Sequence, residues 1–104
     1  MNKHILNSIK NVGRQILPKD SHLWLYGSQA RGDAHAKSDW DLLILLDKDK
    51  IEGSDYDNYA FPLNMLGWQH NADISPVLYT MKEWNENAIT LFHFNVERDK
   101  IELI

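Results

Sequence analysis

The 104-residue chain has no cysteine, which excludes a disulfide framework and a thiolate metal site. It also lacks long apolar runs, since none approaches the length of a membrane-spanning helix. The first residues, MNKHILNSIKNVGRQIL, interleave polar and apolar side chains, unlike the unbroken apolar segment of a signal peptide. We therefore expect a cytoplasmic protein with no membrane partner.

An excess of positive charge is absent as well. The 15 Asp and Glu residues outnumber the 11 Lys and Arg residues, giving a net charge of −4. A protein that holds nucleic acid by its phosphates normally has a basic footprint, so the composition argues against a polynucleotide as the main partner. The five histidines have no paired spacing typical of a zinc site, and we expect His35 to be solvated.

Length and composition predict one small folded domain over residues 1–104. Hydrophobic residues make up 43% of the chain and charged residues 25%, which is ordinary for a globular protein. A chain of this length buries enough surface for one core. We find no repeat, linker or internal boundary.

The spacing of apolar residues predicts both helices and strands. The predicted elements are a helix over 4–17 ended by Pro18, a strand over 22–27, a central strand over 39–47 covered by helices on each side, a helix over 54–70 starting late or kinked at Pro62, a strand over 73–80 with Pro76 favouring an edge or a bulge, a helix over 81–96, and a short strand in the tail KIELI.

Asp39 and Asp41 begin the apolar run DWDLLILLD. Two residues apart on a strand, their side chains point to one face while Trp40 points to the other. Neighbouring carboxylates repel each other, a cost that a protein accepts mainly where a cation or a shared proton offsets it. Mg²⁺ usually binds one or two carboxylates together with water and phosphate oxygens. Taken alone, the pair is also compatible with two exposed acids at the end of a strand.

The segment GSQARG, residues 27–32, precedes the pair. Gly27 ends a predicted strand, and the residues after it can begin a helix whose free N–H groups receive phosphate oxygens. The Ser28 hydroxyl can donate to the same phosphate or only cap the helix, and Arg31 can reach phosphate or pair with a surface acid. A phosphate cradle beside a carboxylate pair predicts a nucleoside-triphosphate site.

A third carboxylate, Asp73, opens the next predicted strand. Strands of one sheet can bring it beside Asp39 and Asp41, giving three acids around one or two metal ions, as in two-metal nucleotidyl transfer. As a lone residue it would be an ordinary solvated strand end.

The segments GSQARG and SDWDL together resemble the GSxARG…SDxDL signature of the DNA polymerase beta-like nucleotidyltransferase superfamily, and within it the minimal nucleotidyltransferases (MNT). The C-terminal LFHFNVERDKIEL resembles the last helix and tail of these small proteins, so the likeness covers most of the chain. The resemblance implies an α/β (α+β) domain in which a small mixed β-sheet is flanked by helices.

The resemblance also implies a role for each site residue. Gly27 and Ser28 would bind the β- and γ-phosphates of ATP or another NTP. Asp39 and Asp41 would hold Mg²⁺, as one or two ions, and Asp73 would ligate metal or activate the acceptor hydroxyl. In-line attack on the α-phosphate would then release pyrophosphate.

Larger superfamily members have a second domain that binds the acceptor, whereas this sequence stops at Ile104. We therefore expect a partner to bind the acceptor or to be the acceptor. MNT proteins are often encoded beside HEPN-domain proteins as toxin–antitoxin pairs, in which the MNT member adds AMP to a HEPN tyrosine. The resemblance thus implies an adenylyltransferase antitoxin in a hetero-oligomer with a HEPN-domain protein.

Two alternatives stay open. One is a catalytically silent antitoxin that neutralises its partner by occupancy, and the other is a small-molecule nucleotidyltransferase of the aminoglycoside type with a separate acceptor-binding subunit. The four tryptophans are compatible with an apolar docking surface, although we expect those on strands to lie in the core.

Overall fold

The structure is a computed structural model that describes residues 1–86 and 88–104. Its elements, in chain order, are α1 (Lys3–Ile16), β1 (His22–Tyr26), α2 (Gly27–Arg31), β2 (Trp40–Leu46), α3 (Gly53–Asp55), a π-helical segment (Tyr56–Ala60), α4 (Phe61–Gln69), β3 (Ile74–Thr80), α5 (Met81–Glu86), α6 (Leu91–Asp99) and β4 (Ile101–Glu102). None of the described helices combines the length and the apolar character that crossing a membrane requires.

The strands form one mixed sheet in the order β3-β2-β1-β4. β2 pairs with β3 in parallel and with β1 in antiparallel orientation, and β4 pairs antiparallel to β1. The predicted fold class, a small mixed sheet flanked by helices, is therefore confirmed. β3 lies at an edge of the sheet, as Pro76 predicted, because an edge strand can accommodate a residue that has no N–H to donate.

β2 separates two apolar clusters and is buried on both faces from Leu42 to Leu46. The side chains of Leu42, Ile44 and Leu46 pack into a cluster that also holds α1 and α4 residues. Leu43 and Leu45 face a smaller cluster with residues of β1, α5 and α6. The prediction of a central strand covered on each side is confirmed. Because β2 packs on both faces, the position of its first residues is held by the core.

The helix predicted over 54–70 is present but differs at Pro62. The chain is helical from Gly53, and the segment directly before the proline widens to a π-helix in which the Phe61 N–H donates to the Tyr56 carbonyl. Proline has no N–H for the carbonyl four residues earlier, and a π turn accommodates that loss. The proline therefore changes the helix locally from α to π geometry, and the helix does not start late.

The single helix predicted over 81–96 is wrong. α5 ends at Glu86, and α6 begins after Thr90, whose backbone is extended and whose hydroxyl accepts the His93 N–H at 3.0 Å. A threonine N-cap starts a new helix, so the apolar spacing runs across two helices. Residue 87, on which the prediction also falls, lies outside the described residues.

Candidate active site

The two predicted motifs meet where β1 ends and β2 begins. In the antiparallel register Tyr26 lies opposite Asp41, so Gly27, the next residue, turns beside the first residues of β2. β2 begins at Trp40, which leaves Asp39 directly before the strand. The structure therefore brings the glycine–serine turn and the carboxylate pair together.

Gly27 packs against the carboxylate of Asp41. A Cβ at this position would overlap Oδ2 of Asp41 and lie 3.3 Å from its Cγ, and the glycine φ is +75°. Only glycine adopts this backbone conformation readily. The glycine therefore both turns the chain from β1 into α2 and leaves room for the acid.

Asp41 carries an unfavourable charge in this position. Burial raises the pKa of its carboxyl above the ordinary 3.8, the neighbouring charge of Asp39 raises it further, and Arg31 partly offsets both effects. Burial, together with the charge of Asp41 and with Tyr79, also raises the pKa of Tyr26 to about 12. A cation placed at the pair would relieve this repulsion.

Asp73 is joined to the pair through the backbone. Its carbonyl oxygen accepts the Trp40 N–H at 2.8 Å, which ties the residue before β3 to the first residue of β2. Its side chain is exposed. Within residues 1–86 and 88–104, no group of three or more His, Cys, Asp or Glu side chains is placed to hold a metal ion, so the predicted grouping of three carboxylates is not assembled here.

α2 is a single short helix that ends in a left-handed glycine. Gly32 has a φ of +85°, and its N–H donates to the Ser28 carbonyl at 3.0 Å. Within the part of the chain that the structure describes, no hydrogen bond engages the Ser28 hydroxyl. This hydroxyl is therefore available to a ligand at the turn.

Arg31 takes the second of its two predicted roles, pairing with acids. Its Nε lies 3.1 Å from Asp33 and its Nη1 lies 2.9 Å from Asp99. Arg98 binds the same Asp99 carboxylate at 2.9 Å, and the two arginines hold the pKa of this acid at about 2. Arg31 thus connects α2 to the C-terminal end of α6.

The family follows from a match over nearly the whole chain. Residues 6–102 match the family model described as a nucleotidyltransferase domain. The chain belongs to the nucleotidyltransferase family. This confirms the family assignment that the two motifs predicted.

Solved structures share the fold of this nucleotidyltransferase. A crystal structure of a toxin–antitoxin with AMP-PNP has a TM-score of 0.64 and 21% identity, covering 100% of this chain and 73% of the other. The toxin–antitoxin MntA–HepT gives 0.61 and 19% over 99% and 72% of the two chains, and a mutant of that toxin–antitoxin gives 0.63 and 20% over 94% and 70%. No curated protein matches the chain significantly by sequence.

Gln29 is a site residue of this nucleotidyltransferase that the sequence did not predict. Its side chain is buried, and Nε2 donates to the Ser38 carbonyl at 3.2 Å, directly before Asp39. His35 and Ser38 close the same loop, because the Ser38 hydroxyl accepts the His35 N–H at 2.9 Å. The amide therefore fixes α2 to the loop that presents the first carboxylate. A glutamine inside a polar segment gives no sign of burial.

The donor set of the nucleotidyltransferase fits a magnesium ion. Asp39 and Asp41 supply carboxylate oxygens only, which hard cations prefer, and Mg²⁺ commonly takes one or two such ligands while water and phosphate complete its shell. Burial and the charge of Asp39 raise the pKa of Asp41, and Arg31 offsets this only in part, so a bound cation would favour the charged form of this acid.

Proposed function

We propose that this domain transfers a nucleoside monophosphate from an NTP, ATP in the first place, to a hydroxyl group. The observation that supports this most directly is the packing of Gly27 against Asp41, because the turn proposed to bind phosphate is in contact with the carboxylate proposed to bind a cation. Neither motif alone would require the other to be so close.

Each residue has a distinct task in this proposal. The backbone of Gly27 and the hydroxyl of Ser28 bind the β- and γ-phosphates, as donors at a helix start do. Asp39 and Asp41 would hold Mg²⁺, which when bound neutralises phosphate charge and orients the triphosphate. Arg31 contributes positive charge to this region and would contact phosphate only by leaving Asp99 or Asp33.

The chemistry is an in-line displacement. The acceptor oxygen attacks the α-phosphorus, the bond from this phosphorus to the bridging α–β oxygen breaks, and pyrophosphate leaves. The proton of the acceptor hydroxyl passes to the carboxylate of Asp73. Positioning and charge neutralisation supply most of the rate enhancement in such transfers.

The acceptor we propose is a tyrosine of a HEPN-domain toxin, which makes the chain an antitoxin. The solved neighbours support this, because they are described as toxin–antitoxin structures and one contains AMP-PNP. The intact GSQARG and SDWDL motifs support an active enzyme over a silent one.

A mass measurement tests this proposal. The purified chain is incubated with the product of the neighbouring gene, which the proposal expects to be a HEPN-domain protein, together with Mg²⁺ and each NTP in turn, and the intact mass of both proteins is read. We expect a gain of one or more NMP units on the HEPN protein, absent with the Asp39→Asn/Asp41→Asn variant. A stable complex without any mass gain would contradict the proposed enzymatic activity.

That second outcome would favour an antitoxin that acts by occupancy alone. One observation points towards it: Arg31 is engaged by Asp33 and Asp99. The double asparagine variant separates the two functions, because an occupancy antitoxin keeps its protective effect in the variant whereas an enzymatic antitoxin loses it.

A further inference from the structure

An open cavity of about 920 Å³ lies beside the candidate active site. It is bounded by the N-terminus of α1, Gln29 of α2, the loop before β2, and the segment that leads from the end of α4 into β3. Its walls include Lys37, Trp40, Trp68, His70 and Asp73. The volume is within the range of small-molecule binding sites.

Among the described residues assigned above to catalysis or nucleotide binding, Asp73 alone lines this cavity. Gly27, Ser28 and Asp41 lie at the turn between β1 and β2, and Asp41 points to the face of β2 opposite Trp40, a wall of the cavity. The triphosphate at the turn would therefore lie outside the cavity. A group inside the cavity would meet the site at Asp73.

One wall of the cavity continues into an exposed apolar surface on α4. Phe61, Met65 and Trp68 are 50%, 41% and 67% exposed, and their spacing puts them on one face of the helix. The rings of Phe61 and Trp68 meet edge to face at 5.8 Å between centroids. We call these three residues the α4 apolar face. It extends about 10 Å from the cavity.

We propose that the acceptor is a protein that docks on the α4 apolar face and inserts its hydroxyl-bearing side chain into the cavity, towards Asp73. This deepens the proposed function and rests on it. A small-molecule acceptor would need the cavity alone, whereas an apolar helix face continuous with the cavity through Trp68 matches an apolar protein surface next to the modified residue. The mixed lining, with Lys37 and His70 beside a tryptophan, suits an aromatic side chain that ends in a hydroxyl.

Steady-state transfer of NMP to the HEPN-domain protein tests this, with KM measured separately for that protein and for ATP. Trp68→Ala removes the shared wall, Met65→Ala shortens the α4 apolar face, and Ala36→Trp fills the cavity at another lining residue. Phe94→Ala is the matched control, because Phe94 is 60% exposed on α6. None of these side chains contacts the nucleotide in the proposal.

We expect Trp68→Ala and Ala36→Trp to raise the KM for the HEPN protein at least tenfold, and Met65→Ala several-fold. The KM and Kd for ATP are expected to stay within twofold of wild type in all four variants, and Phe94→Ala to behave as wild type. Unchanged acceptor KM in Trp68→Ala and Ala36→Trp would overturn the inference while the proposed function stands. An equal rise in Phe94→Ala would instead assign docking to α6, and it would equally overturn the inference.

A binding experiment distinguishes failure of the cavity inference from failure of the proposed function. The ¹⁵N-labelled wild-type chain is titrated with N-acetyl-tyrosinamide, with N-acetyl-phenylalaninamide as the matched probe without a hydroxyl. We expect chemical shift changes at Lys37, Trp68 and His70 that are larger with the tyrosine probe. Shifts confined to other residues, or none, would overturn the cavity assignment. Wild-type protein without any NMP transfer would overturn the proposed function, and the acceptor role of the cavity with it.

Discussion

Two aspartates near Arg31 experience opposite environments. Asp99, at the end of α6, has a nearly buried side chain that binds Arg31 and Arg98 at 2.9 Å each, and its pKa falls to about 2. Asp41 at the start of β2 is half-buried, and its pKa rises because of burial and the charge of Asp39. Among the described residues, Asp41 forms no ion pair. The protein pairs one acid with its own cations, whereas the charge of the other is offset only in part, by Arg31 without an ion pair.

The difference lies between a carboxylate paired with the protein's own cations and a carboxylate that forms no ion pair among the described residues. Where an acid only holds elements together, as Asp99 holds α2 to α6, the chain supplies the cation. Asp55 follows the same rule, since Lys48 lies 2.9 Å from it and the pKa of its carboxyl is lowered. An acid whose charge is disfavoured in the folded state is typical of a binding site, and Asp41 has this property.

The largest expected effect comes from removing the unneutralised charges. We expect Asp39→Asn and Asp41→Asn each to lower kcat/KM for NMP transfer at least about 1,000-fold, or about 4 kcal/mol, because the cation loses a charged ligand. Because the pKa of Asp41 is raised, its charge destabilises the fold near neutral pH, so Asp41→Asn is expected to unfold at the wild-type temperature or above. Calorimetry and NMP-transfer kinetics measure both quantities.

The matched control is Asp33→Asn, which removes an exposed acid from the same region, 3.1 Å from Arg31. It is expected to retain activity within a few-fold of wild type. If Asp41→Asn were strongly destabilised, its carboxylate would be structural like that of Asp99, and the contrast between the two acids would fail.

Gly27→Ala tests how closely the turn fits the acid. Its methyl group would overlap the Asp41 carboxylate, and its φ of +75° is unfavourable for alanine. We expect a loss of about 1–3 kcal/mol in the free energy of unfolding together with at least a tenfold rise in the Kd for ATP. Urea unfolding and calorimetric titration give the two values. Gly32→Ala is the control: its φ of +85° is also positive, but a Cβ added there would meet no atom of the described residues within 4 Å, so it is expected to lose stability and keep ATP affinity.

The part of the candidate site that the sequence predicts is formed by consecutive secondary-structure elements. Gly27 directly follows β1 and Asp41 is the second residue of β2, so the antiparallel pairing of these two strands brings the residues together. Their residue types then indicate the chemistry. The central strand and the edge position of β3 were predictable for the same reason, since burial and proline content are local properties of a strand.

The features that the sequence did not predict depend mainly on contacts between segments that are distant along the chain. Asp99, which binds Arg31, lies 68 residues further along the chain, and no local pattern selects it among the other acids. The cavity is built from four separate segments. The sequence did not predict the break before α6, because the helical spacing of apolar residues continues across Thr90. The extended backbone of Thr90 marks the start of the new helix.

Asp55 extends the comparison to a second neutralised acid. Its carboxylate accepts bonds from Lys48 at 2.9 and 3.1 Å and from the Glu52 N–H at 2.8 Å, which caps α3. We expect Asp55→Ala to lower the free energy of unfolding by about 1–2 kcal/mol, the usual cost of a lost helix cap. NMP transfer is expected to be unaffected. Urea unfolding at neutral pH measures the change, and Asp57→Ala, an exposed acid two residues on, is expected to change stability little.

The smallest effect concerns the pH dependence of stability. The pKa of Asp99 in the folded protein is about 2, below its ordinary 3.8, so its charge stabilises the fold above that ordinary value, and this contribution disappears as pH falls through about 2. The difference in unfolding free energy between wild type and Asp99→Asn is therefore expected to shrink as pH falls across that interval. Urea unfolding of both proteins at several pH values measures it. A difference that stays constant would mean that the two arginines do not stabilise the Asp99 charge, and that Asp99 and Asp41 are less different than their surroundings indicate.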